Sequence, residues 1–278
     1  MRKSATALVV LYLAAAAVAF WSLAPFLWQF ITSIKTPAET LASPPTYWPS
    51  VPTLASYAKI FAQRPFGRYM LNSLLVALGT TATCTILGTL AAYALSRPRL
   101  AGTHVVMATL LVISLFPPTL VVVALKRLVV QAGLLNSLWS LILSYAALNL
   151  PFAIFVLRTF FLQVPQDIEE AAQVDGFSRW GTLWKIIFPL SAPAVATTAI
   201  LVFIFSWNEF LLALAFISRD SARTVPAGIA LLSGVTVYEV PWDQISAAVV
   251  VTTLPVVAMV LAFQRRILQG LTAGGVKG

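Results

Sequence analysis

Residues 158–189 read RTFFLQVPQDIEEAAQVDGFSRWGTLWKIIFP. This stretch holds four of the nine acidic residues of the chain, so it is a polar island. Everything around it is apolar: of 278 residues 59% are hydrophobic and 10% charged, with a mean hydropathy of +0.89. Soluble domains carry about a quarter charged residues, so the chain reads as an all-α polytopic membrane protein. Within the island, Pro165 suits a helix start, where its missing N–H costs nothing. Asp167, Glu169 and Glu170 follow in the first turn, where the helix dipole favours acids. Ala171 and Ala172 keep that helix thin, and Gly176 predicts its end in a positive-φ residue. Trp180, Leu183, Trp184 and Ile187 then form a 3.6-residue stripe, which Pro189 is expected to stop. By pattern alone, a short helix, a turn and an amphipathic helix fit a docking hairpin and an interfacial hairpin with only a packing role equally well.

Six apolar runs flank this island, at about 7–31, 70–95, 105–125, 132–157, 189–217 and 245–264. A bilayer core needs about 20 residues of helix, and backbone groups in lipid must be satisfied within the segment, so each run predicts a helix. Only the fifth holds a charge, Glu209. Pro117-Pro118, Pro151 and Pro255 lie inside the third, fourth and sixth runs and predict kinks. With the N-terminus inside, the inner segments hold Arg2, Lys3, Arg97, Arg99, Arg158, Arg179, Lys185, Arg265, Arg266 and Lys277. The outer segments hold Lys35, Lys59, Arg64, Arg68, Lys126, Arg127, Arg219 and Arg223. The excess weakly favours N-in/C-in.

The net charge of +9 points to lipid anchoring rather than nucleic acid, because the basic residues sit singly or in pairs between apolar runs. Cys84 lies alone in an apolar run and His104 at the edge of another, so neither a disulfide nor a metal cluster is expected. Arg2-Lys3 before an apolar run resembles a signal peptide, but the uncharged run continues to Ile34 and predicts an uncleaved first span. The outer loops 32–69, with Tyr47-Trp48-Pro49, and 218–244, with Gly234 and Tyr238, read either as structures that meet a partner or as plain connectors.

Glu170-Ala171-Ala172, three residues, Gly176, nine residues, Ile186, two residues and Pro189 together resemble the EAA loop of ABC importer permeases. Phe188 departs slightly, standing where that pattern often has Leu. Asn72-Ser73-Leu74, the run from Phe205 to Phe210 and the ending from Phe263 to Gly278 are similar to the smaller permease chain of the carbohydrate-uptake, maltose- and trehalose-type branch. The resemblance covers essentially the whole chain. It implies one permease domain, 1–278, with six transmembrane helices in the type I ABC importer (MetI-like) fold, N-in/C-in, in a bacterial or archaeal cytoplasmic membrane. It implies a coupling loop at 158–188 in which Glu170, Ala171, Ala172, Asp175, Gly176, Ile186 and Pro189 meet an ATPase, helped by the tail residues Lys277 and Gly278. The implied partners are a second permease subunit, two cytoplasmic ABC ATPases and an extracytoplasmic sugar-binding protein.

No Gly-Lys pair occurs, so the phosphate loop of an ATPase is absent. No cofactor is therefore expected on this chain; ATP and Mg belong to the implied ATPase. An ionisable group in a span is a functional candidate. Glu209, with Trp207 and Asn208, offers stacking and hydrogen bonding suited to a sugar path, or an interhelical bond to the partner permease. Asn72, Tyr145 and Asn149 are further candidates of that kind, each equally readable as a helix–helix hydrogen bond. A secondary transporter would show two related halves and broken mid-membrane helices, and neither is legible. The sugar is expected to be a disaccharide such as trehalose or maltose, with a glycerol derivative, osmolyte or oligosaccharide as the alternative.

Overall fold

A computed structural model describes residues 5–97, 102–232 and 240–273. In chain order the helices are α1 (Ala5–Ser33), α2 (Pro37–Thr40), α3 (Ala55–Gln63), α4 (Phe66–Leu95), α5 (Thr103–Leu115), α6 (Pro118–Gln131) and α7 (Leu138–Phe161). There follow α8 (Gln166–Val174), α9 (Arg179–Thr182), a π-turn (Leu183–Ile187), α10 (Phe188–Leu190), α11 (Ala192–Asn208), α12 (Leu211–Phe216), α13 (Val225–Ala230) and α14 (Trp242–Ala273). Among the described residues no strand occurs. Four helices are long and apolar enough to cross a membrane, and two bent pairs bring the spans to six if each pair is one crossing.

The bent pairs correct two expectations. The third run is not one kinked helix: α5 and α6 meet at 98°. Phe116 and Pro117 are both extended, with ψ of 126° and 125°, because a residue before proline is pushed out of the helical region, and two prolines in succession force this twice. Pro151 and Pro255, single prolines, ride inside the continuous α7 and α14. The fifth run also breaks twice. The helix from Arg179 continues to Leu190 and bends by 79° into α11. Pro189 therefore does not stop it. The π-turn, in which Phe188 N–H bonds Leu183 O, widens the helix just where proline lacks a donor and crowds the preceding turn. The second break falls at Glu209, so this acid lies between helices and not within one.

The chain forms two compact units, Met1–Gly67 with Gly228–Pro255, and Arg68–Ala227 with Val256–Gly278. In the larger unit α7 is the central helix. A Cβ placed on Gly79 of α4 would sit 2.9 Å from Ile142 Cδ1, and one on Gly88 would sit 3.3 Å from Ala153 Cβ. Small residues thus let α4 and α7 approach closely, as membrane helices do. One apolar cluster joins Val76, Leu141, Tyr145, Leu212 and Phe216. A second joins Leu95, Ile154, Leu157 and Phe161 to Leu183 and Ile187 of the π-turn. In the smaller unit the 32–69 loop is folded. Thr36 and Glu39 form a capping box on α2, Glu39 Oε1 accepts from Ser50 N–H at 2.7 Å, and buried Ser56 donates to buried Asp243 at 2.7 Å. α1 leaves nearly every side chain from Leu8 to Phe30 exposed, the property of a helix meant for lipid or another helix.

Candidate functional site

The polar island folds as the expected hairpin. Pro165 caps α8, and Asp167 and Glu169 occupy its first turn; Glu170 falls just beyond it. The helix ends at Gly176, φ +86°. Phe177 N–H bonds Ala172 O at 2.9 Å and Gly176 N–H bonds Gln173 O at 3.1 Å, the paired bonds of a left-handed helix end. Ser178 then caps α9 by accepting from Gly181 N–H. The expected apolar stripe divides. Leu183 and Ile187 are buried, while Trp180 is 63% and Trp184 38% exposed. Lys185 lies over the Phe177 ring and bridges the two arms.

A charge cluster holds this hairpin to the ends of α4 and α7. Glu169 pairs with Arg97 just beyond the end of α4, and its second oxygen accepts from Tyr93 at 3.3 Å. Arg97 also donates to Phe161 O and lies over the Tyr93 ring. Arg158 Nε donates to Leu95 O at 2.9 Å. Removing one partner of such a buried pair costs about 3–5 kcal/mol, so the hairpin is fixed rather than tethered. Glu169 and Ala172, three residues apart on one face, are buried; Glu170, Ala171, Gln173, Val174, Asp175 and Gly176 are exposed. Val174, 87% exposed, is an apolar residue on a bare polar surface. Ile186 is half-buried and Pro189 exposed. Lys277 and Gly278 lie outside the described residues, as do Gly234 and Tyr238.

The path candidates separate. Glu209 accepts from Leu212 N–H at 2.9 Å and Ala213 N–H at 3.3 Å, so its carboxylate caps α12. Buried Tyr145 packs in the same apolar cluster as Leu212, whose N–H that carboxylate holds. Trp207 is buried and stacks on Phe203 at 5.7 Å. Asn208 is exposed and bonds back to Ile204 O; half-buried Asn149 does the same to Tyr145 O. Asn72 is elsewhere. Its amide donates to Ser221 O and Arg223 O, while Ser73 accepts from Val225 N–H. The Asn72-Ser73 pair thus clasps the loop after α12. Asn136 Oδ1 holds the start of that loop through Ser218 and Arg219. Among the described residues no group of three His, Cys, Asp or Glu side chains is placed to hold a metal.

Residues 84–272, from α4 through the hairpin into α14, match the family described as "Binding-protein-dependent transport system inner membrane component". The chain belongs to that family. This permease is 42% identical over 267 residues to the sulfoquinovosyl glycerol transport system permease protein SmoH of Agrobacterium fabrum, covering 96% of this chain and 93% of that one. It is 40% identical over 280 residues to the trehalose/maltose transport system permease protein MalG of Thermococcus litoralis, covering both chains fully. The trehalose transport system permease protein SugB of Mycobacterium tuberculosis is also 40% identical, with 93% of each chain covered. A crystal structure of a bacterial ABC transporter that imports alginate shares the fold, with a TM-score of 0.80 over 95% of this chain and 98% of that one, at 22% identity. The permease is a multi-pass, non-catalytic membrane subunit, and the ATPase of such a transporter is a separate chain.

Glu169, Arg97, Tyr93 and Arg158 escaped the sequence reading as an anchor. One signal was present: Glu169 falls on the Ala172 face of the helix and Glu170 does not.

Proposed function

We propose that this permease forms half of the pathway of an ATP-driven sugar importer and receives its motion through the 158–188 loop. One observation carries the coupling role. One face of α8 is locked inward by Glu169 and Ala172, while the opposite face presents Glu170, Ala171 and Val174 with nothing on it. A rigid short helix with a small, bare face fits a cleft on a soluble partner, and a rigid joint transmits displacement where a loose one would absorb it. Glu170 meets a basic group there, Ala171 permits close approach, and Gly176 with Asp175 fixes the turn. Lys277 and Gly278 reach the same partner.

The partners in this reading are two ATPases binding ATP and Mg, a second permease chain and an extracytoplasmic binding protein. The loop then lies on the cytoplasmic side of a cell membrane, the orientation is N-in/C-in, and 32–69 and 218–244 face outward. Full-length identities of 40% to two trehalose-type permeases support a disaccharide such as trehalose or maltose as cargo. The relative at 42% supports a second reading, a sugar joined to glycerol. Buried Tyr145 and half-buried Glu209 are the strongest path candidates, with Asn208 exposed nearby in sequence.

Proteoliposomes holding the whole transporter and its binding protein test this. Labelled trehalose, maltose and a sugar–glycerol are offered with internal ATP. Uptake of one of them, absent without ATP, is the expected result. Uptake of none, with uptake of amino acids instead, overturns the sugar assignment.

A further inference from the structure

In the smaller unit, a pocket of about 280 Å³ lies among the end of α1, the segment 35–46 and the start of α14. None of its residues belongs to the coupling hairpin or to the path candidates. Its volume is just below the about 300–1,000 Å³ typical of small-molecule sites, so it suits a single ring. Trp28 and Trp242, both part-exposed, line it. Indole faces are the surfaces on which the apolar C–H faces of sugar rings stack.

The polar lining is unusual for a structural crevice. Gln29 Oε1, Thr32 Oγ1 and Thr46 Oγ1 are withdrawn from solvent and have no hydrogen-bond partner among the described residues. Buried oxygens left unbonded are costly, and such groups call for a missing partner. Beside them Lys35 is buried; its ammonium lies 4.7 Å from the Trp28 ring centre and donates to Thr46 O. An ammonium carries three donors, which leaves protons to give.

These groups select a ligand class. An amide oxygen only accepts, an ammonium only donates, and a threonine hydroxyl does both. A phosphodiester has acceptors but no donor, so it satisfies Lys35 and leaves Gln29 Oε1 unbonded. Glu39, in the same wall, opposes an anion further; its carboxylate is held by Ser50 and Thr36. A ring bearing several hydroxyls donates and accepts at each one and offers a face to the indoles. We propose that this pocket binds one pyranose ring of a hydroxyl-rich ligand. A pyranose can come from the imported sugar or from a glycolipid headgroup.

The permease–ATPase complex in nanodiscs of phosphatidylglycerol and phosphatidylethanolamine, without binding protein, is titrated with trehalose and maltose. Tryptophan emission and hydrogen exchange of residues 29–46 are read. A saturable response is expected, weakened about tenfold by Gln29→Leu and by Thr46→Val, the loss of one hydrogen bond. Co-elution with the ATPase shows that each variant is assembled, and Thr46, on a loop, gives a second variant should Gln29→Leu fail to assemble. If free sugars give nothing but nanodiscs with a glucosyl-diacylglycerol protect 29–46 in a Gln29-dependent way, the pyranose class holds and its source is lipid. A response to neither, a response indifferent to both variants, or protection by inorganic phosphate overturns the proposal. Sugar uptake is measured separately, so a silent pocket in a transporter that imports sugar sinks this inference alone.

Discussion

Glu169→Gln removes one charge from the anchor of the hairpin and leaves Arg97 without its counter-ion. Breaking a buried pair costs about 3–5 kcal/mol. Arg97 and Glu169 retain 15% and 10% side-chain exposure, and Arg97 keeps Phe161 O and the Tyr93 ring. The loss therefore falls to about 2–3 kcal/mol, a factor of about 30–150 in the population of the detached hairpin. Hydrogen exchange of the whole transporter in nanodiscs reads this directly. Amides of α8 and the Gly176 turn should exchange about 30- to 150-fold faster, while α7 amides around Leu157 stay as in the wild type. Because charge pairs replaced by apolar pairs are often neutral, Arg97→Leu with Glu169→Leu should recover much of the protection lost by either alone. Exchange in α8 within threefold of wild type for Glu169→Gln would refute the anchor, as would additive effects in the double variant.

Three further outcomes are expected. Gly176→Asp should abolish uptake while the protein still inserts and assembles: a Cβ there meets no atom within 4 Å, the left-handed backbone costs a side chain about 1–2 kcal/mol, and the added charge sits on the docking face. Uptake assays and membrane fractionation check this together. Glu209→Ala should lower stability by about 1–2 kcal/mol and alter uptake kinetics, whereas Glu209→Gln, which keeps an oxygen for Leu212 N–H, should retain most of both; thermal unfolding with initial uptake rates separates them. Acid should loosen the 36–50 segment. Ser50, then Thr36, hold the Glu39 carboxyl below its ordinary value, so its contribution is present above the unfolded pKa and lost as pH falls through the lower folded one. The protection factor of the Ser50 amide, its exchange relative to the unfolded chain at the same pH, should fall only in that acidic window, and a fall near neutrality would contradict the hold of Ser50 on Glu39.

The helical class and the hairpin were legible because their signals are local. Apolar length marks a span, and Pro165 and Gly176 bracket α8 whatever surrounds them. A kink at Pro117-Pro118 was legible but not its size, and the breaks at Ser191 and Glu209 were not legible, since hydropathy averages across a bend, and Glu209 looked like a charge in lipid when it caps α12. The anchor was hidden for another reason. Arg97 and Glu169 are 72 positions apart, and only the packing of α4 against α7 brings them together. Asn72 shows the same limit: its type indicated a polar contact, but the partner was a loop carbonyl some 150 residues away.

The most direct test of the coupling face is cysteine accessibility. The native Cys84 is fully buried, so Val174→Cys introduces a single reactive thiol on the bare face of α8. Labelling by a bulky maleimide is compared in the permease pair alone and in the complex with its ATPases. Fast labelling without the ATPases and strong protection with them is the predicted result. Equal labelling in both would contradict the docking of this hairpin on the ATPase.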